Sequence, residues 1–98
     1  MHMVEVRQTE VFVAWVAALR DLQAKARIVA RIRRMELGNP GDVKPIGGGV
    51  SEMRITHGPG YRLYFTRRGG AIVILLCGGD KSTQQDDIRL AQQMAREV

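Results

Sequence analysis

The sequence predicts an α+β domain: an N-terminal α-hairpin packed on an antiparallel sheet of about four strands, with a C-terminal helix. Three observations carry this expectation. In the first half, apolar residues recur at helical spacing. In the second half, glycine clusters at Gly47-Gly48-Gly49, Gly58-Pro59-Gly60, Gly69-Gly70 and Gly78-Gly79 separate short β-favouring runs, as in an antiparallel meander. The last stretch opens on a helix-capping pattern followed by acidic residues. The expected order is β-α-α-β-β-β-β-α, and 98 residues suit a single domain, residues 1–98, around one modest core.

A short strand is expected around Val4 to Arg7. Thr9 then caps a first helix, whose Phe12, Trp15, Val16 and Leu19 share one apolar face. Asp21 caps a second helix from about Leu22 to Leu37. Gly38 is placed to stop it, ahead of the turn residues Asn39-Pro40-Gly41-Asp42. At the C-terminal helix, Ser82 and Gln85 fit a capping box, and Asp86 and Asp87 suit the positive end of the helix dipole. Ile88, Ala91 and Ala95 supply its apolar stripe.

Alternation divides each strand into two faces. Met53 and Ile55 oppose Glu52 and Arg54 on one strand. Tyr61, Leu63 and Phe65 oppose Arg62, Tyr64, Thr66 and Arg68 on the next. Pairing Ile55 with Tyr61 and Met53 with Leu63 joins the apolar faces; a one-residue slip mixes them. That register sets Arg54 opposite Arg62 and Glu52 opposite Tyr64. Like charges directly opposite are destabilising. Glu52 or an anionic ligand would compensate the arginine pair, unless both arginines splay into solvent. A two-residue hairpin at Gly69-Gly70 would place Thr66 opposite Val73 and Tyr64 opposite Leu75. The run Ala71 to Cys77 is apolar on both faces, which fits a central strand.

The net charge of +5 favours anionic partners: nucleic acid, ribosome or an acidic protein. Residues 20 to 34 carry six positive charges and one negative, and Arg27, Arg31 and Arg34 fall on one helical face suited to backbone phosphate. The alternative is a solvated face. The stretch Gly78 to Thr83 is not a phosphate-binding P-loop, because Asp80 precedes Lys81 where glycine is required. His2 and His57 are far apart, and Cys77 sits in an apolar run as a buried thiol, so no metal or other cofactor is expected. His57, in a turn, is expected at the surface. One cysteine allows no internal disulfide and fits a cytoplasmic protein. No apolar run approaches the ~20 residues of a membrane span. Phe12, Trp15 and Phe65 belong to the core, which leaves Tyr64 as the aromatic available for stacking or proton transfer.

The run GNPGDVKPIGGGVSEMRITHGPGYRLYF, from Gly38 to Phe65, followed by LLCGGDKSTQQDDIRLA, resembles the RelE/ParE toxin superfamily and, within it, the short HigB-like addiction module killer proteins of type II toxin–antitoxin systems. The likeness extends weakly back through the α-hairpin. It implies a RelE-like fold and a cognate antitoxin, often a helix-turn-helix repressor. It also implies cleavage of mRNA on the ribosome without a metal, by attack of a ribose 2′-hydroxyl on the adjacent phosphate. Such cleavage needs a base, an acid for the leaving oxygen and cations for the charged transition state. On this resemblance Arg62 matches the arginine that contacts the scissile phosphate. Arg54 lies where relatives place basic catalytic residues, and Glu52 where some carry a glutamate base. The resemblance also implies Lys44 and Lys81 as candidates for additional phosphate contacts. The sequence departs from several relatives in having no Tyr or His in residues 80–98, so Tyr64, Lys81 or Glu52 would move the proton. The same superfamily contains ParE-like inhibitors of DNA gyrase that perform no chemistry. Fold does not separate the two activities.

Overall fold

The computed structural model describes residues 3–98; His2 lies outside them. The chain runs β1 (Glu5–Gln8), α1 (Glu10–Ala18), α2 (Leu22–Glu36), β2 (Val43–Gly47), β3 (Val50–Ile55), β4 (Tyr61–Arg68) and β5 (Ile72–Asp80). A 3-10 turn at Lys81–Thr83 then leads into α3 (Gln84–Glu97). The α+β class, the α-hairpin and the C-terminal helix are as the sequence predicts. The sheet has five strands in the order β1-β5-β4-β3-β2 and is mixed, because β1 pairs parallel to β5.

The helix caps follow from their residue types. Thr9 accepts a hydrogen bond from the Phe12 amide at 3.1 Å and donates its hydroxyl to the Leu76 carbonyl at 2.6 Å, tying the start of α1 to β5. Asp21 accepts from the amides of Gln23 and Ala24 at the start of α2. At the end of α2, Gly38 adopts φ 88°. Its amide donates to Met35 and that of Asn39 to Arg34, the paired bonds of a Schellman stop. The expected capping box of α3 does not form. Asp80 instead accepts from the Ser82 amide at 2.8 Å and starts the 3-10 turn, while the Thr83 hydroxyl donates to Asp87 at 2.6 Å.

The β3–β4 register is the predicted one, with Ile55 opposite Tyr61, Met53 opposite Leu63, Arg54 opposite Arg62 and Glu52 opposite Tyr64. The β4–β5 register is not. Arg68 lies opposite Ile72, leaving Gly69-Gly70-Ala71 as a three-residue connection. Thr66 faces Ile74, and a bulge places Tyr64 opposite Cys77. The bulge turns both Leu76 and Cys77 to the α3 side of the sheet.

Two apolar clusters sandwich the sheet. Phe12, Ala24, Ile28 and Met35 of the hairpin pack on Met53, Leu63, Phe65, Val73 and Leu75. On the other face, Ala91 of α3 packs on Val50, Tyr64, Leu76 and Cys77. Two glycines at the end of β5 permit these close approaches. A Cβ on Gly78 would lie 2.4 Å from the Trp15 ring, and one on Gly79 would lie 1.8 Å from the Asp87 carboxylate. Among the described residues no helix is long and apolar enough to cross a membrane.

Candidate nucleic-acid interface

The α-hairpin, the segment before β2 and the β3–β4 turn meet along one side of the molecule. There they form two adjoining clefts that share Asp42, Arg54, Ile55 and Thr56. The first, about 360 Å³, lies against Arg27, Arg31 and Arg34 of α2. The second, about 290 Å³, is bounded by His57, Tyr61 and Arg62. Five arginines therefore border one continuous groove, a concentration of positive charge suited to a phosphate backbone.

The arginines are held in different ways. Arg31 donates to the carbonyls of Arg54 at 2.7 Å and Pro40 at 2.9 Å, which fastens α2 to β3 and to the turn before β2. Partial desolvation, then the neighbouring Arg34, lowers its pKa from the ordinary arginine value. Arg31 is thus a latch, whereas Arg27 and Arg34 are exposed. Arg54 pairs with Asp42 at 3.2 Å. Arg62, with only 14% of its side chain exposed, donates to the Gly60 carbonyl at 3.2 Å and sits 3.7 Å from Glu52. The cross-strand arginines are compensated separately, one by Asp42 and one by Glu52. The contribution of Asp42 was not evident from a turn residue in sequence.

Alternation correctly assigned Glu52, Arg62 and Tyr64 to one face, but α3 covers it. Glu52 and Tyr64 are both fully buried. The Tyr64 hydroxyl donates to Glu52 Oε2 at 3.1 Å, and Gln84 of α3 donates to the same oxygen at 3.0 Å. Burial, then the Glu52 charge, pushes the Tyr64 phenol well above the ordinary tyrosine range. The expectation of Tyr64 as a stacking surface is corrected: packing against Ala91, Val50 and Leu76 removes its ring from solvent. Cys77 is buried in the same cluster, as expected, with its thiol pushed up to about 12. Lys44 is exposed, 4.0 Å from Glu52, and borders neither cleft. Lys81 is exposed beside the second cleft. Gly60 separates it from Arg62, since a Cβ there would lie 4.0 Å from the Lys81 Cβ and 3.7 Å from the Arg62 guanidinium.

His57 is more enclosed than its place in a turn suggests. It is not a freely solvated turn histidine: its side chain is 17% exposed, and its Nε2 donates to Asp21 Oδ2 at 2.9 Å. The amide of Ala24 and then the imidazole hold the Asp21 carboxyl below its ordinary pKa. The partners lie 36 positions apart, so no local motif signals the pair.

The chain is 47% identical over 95 residues to an uncharacterized protein of Haemophilus influenzae, covering 97% of this chain and 96% of that one. Residues 14–96 match the family described as phage-derived protein Gp49-like (DUF891). With most of its length matched, the chain belongs to the Gp49-like family, a RelE/HigB-like toxin–antitoxin family.

Proposed function

We propose that the protein is the toxin of a type II toxin–antitoxin module and acts as a ribosome-dependent mRNA endoribonuclease, neutralised by a cognate antitoxin of helix-turn-helix type. One observation carries this reading: Arg54 and Arg62 stand opposite each other at a cleft that continues into the basic face of α2. In this reading exposed Arg27 and Arg34 follow the RNA backbone and Lys81 contacts it beside the second cleft. Arg54 and Arg62 hold the scissile phosphate. The ribose 2′-hydroxyl is the nucleophile, and the two guanidiniums stabilise charge that builds on the phosphoryl oxygens in the transition state. Preorganisation matters here: Glu52 beneath Arg62 and Asp42 beside Arg54 fix both cations before substrate arrives. Glu52 and Tyr64 are then positioning residues.

The test is incubation of the purified protein with programmed ribosomes and a defined mRNA, with cuts mapped by primer extension. Cuts that require both protein and ribosome are expected; an intact message would oppose the reading. The burial of Glu52 and Tyr64 favours a second reading, in which the protein binds DNA gyrase and performs no chemistry. Loss of gyrase supercoiling together with intact mRNA is the result that second reading requires.

A further inference from the structure

We propose that His57, oriented by Asp21, is the group that accepts the proton of the attacking 2′-hydroxyl. This inference rests on the nuclease reading above. The candidates for proton transfer are few. Glu52 and Tyr64 are sealed beneath α3, Asp42 is paired with Arg54, Lys81 stands beside the cleft rather than in its lining, and residues 80–98 contain no Tyr or His. His57 borders the same cleft as Arg54 and Arg62.

Its geometry suits the task. Because Nε2 donates to Asp21, Nδ1 is the nitrogen left with a lone pair. Nδ1 has no hydrogen-bond partner among the described residues and is not among the buried unpartnered atoms, so solvent reaches it. The two oxygens of Asp21 have separate partners. Oδ1 accepts from the α2 amides of Gln23 and Ala24, and Oδ2 accepts from His57. A carboxylate fixed in this way sets the tautomer and stabilises the imidazolium formed on proton uptake. The turn is also tied down: the His57 amide donates to Ile55 at 3.0 Å, and its carbonyl accepts from Gly60 at 3.1 Å. The charged and titratable groups around the imidazole are Asp21 from the α1–α2 connection, Asp42 before β2, Arg54 on β3, and Tyr61 and Arg62 on β4.

The 2′-O–H bond breaks and its proton passes to Nδ1, while the oxygen forms a bond to phosphorus. The bond from phosphorus to the 5′-oxygen breaks, and that oxygen leaves with the electron pair and takes a proton from solvent. The products are a 2′,3′-cyclic phosphate and a 5′-hydroxyl, and His57 returns its proton to solvent.

The test measures single-turnover cleavage of ribosome-bound mRNA against pH for the wild type, His57→Gln, Asp21→Asn and Arg62→Ala, with melting curves for each. His57→Gln is expected to slow cleavage by about 10²–10⁴-fold and remove one ionisation from the pH profile, with ribosome binding unchanged. Asp21→Asn, which keeps a capping side chain, is expected to fall between. Full cleavage by His57→Gln with an unaltered profile, beside loss in Arg62→Ala, would overturn the His57 role and leave the nuclease reading standing. A slower rate with an unaltered profile and a lowered melting temperature would also overturn it, as a structural effect. Absence of cleavage by the wild type would overturn both.

Discussion

Replacing Tyr64 by Phe separates a buried support from a catalytic group. The substitution removes one oxygen and keeps the ring in its packing against Val50, Leu76 and Ala91. What is lost is a 3.1 Å hydrogen bond to a fully buried carboxylate. Hydrogen bonds to charged groups contribute about 1.5–3 kcal/mol, and Glu52 retains Gln84 at 3.0 Å, so a loss of about 2 kcal/mol is expected. For a domain of this size, about 4–8 °C per kcal/mol converts that loss to a melting temperature lower by about 8–16 °C. Thermal unfolding by circular dichroism measures the shift. Ribosome-dependent cleavage at a temperature where both proteins are folded measures the function. Near wild-type cleavage is expected, because Glu52 still lies against Arg62. Abolished cleavage with an unchanged melting temperature would return the phenol to the chemistry.

Three further outcomes are expected. Gly79→Ala drives a methyl into the Asp87 carboxylate, so a loss of about 1–3 kcal/mol is expected in urea unfolding, with separation of α3 from the sheet. Asp21 has a lowered pKa in the folded state, so its contribution is present above the unfolded value of about 3.9 and is lost as pH falls through the folded value. Asp21→Asn should therefore flatten the acid limb of a melting-temperature profile against pH. Arg27→Ala and Arg34→Ala should each weaken binding to single-stranded RNA and reduce the logarithmic salt slope by about 0.7, whatever the RNA sequence.

The parts of the fold legible in the sequence are those where a wrong choice buries charge. A one-residue slip of β3 on β4 would set Arg54 beside Leu63, so alternation pins that register and with it the Arg54–Arg62 pair. The run Ile74 to Cys77 carries no such penalty. Every residue in it is apolar, and a bulge shifts the register without placing a polar group in the core. The parallel pairing of β1 with β5 joins residues 67 positions apart, Glu5 with Ile72, and depends on packing of the whole hairpin.

The site divides in the same way. Alternation put Glu52, Arg62 and Tyr64 on one face, but it says nothing of what lies over that face. The covering stripe on α3, with Ile88, Ala91 and Ala95, is legible from its own spacing, but that spacing does not specify which sheet face it covers. Its bond from Gln84 to Glu52 arises only once α3 docks. The Asp21–His57 pair likewise exists only after the α1–α2 connection meets the β3–β4 turn.

If the arginine cleft holds a phosphate undergoing cleavage, Arg62→Ala removes one of the two cations that hold it. The measurement is primer-extension mapping of one mRNA on programmed ribosomes, with wild type and variant matched for folded fraction and ribosome binding. Ribosome-dependent cuts by the wild type, and loss of those cuts in Arg62→Ala, are expected. Equal cutting by both, or no cutting by the wild type, would contradict this role of the cleft.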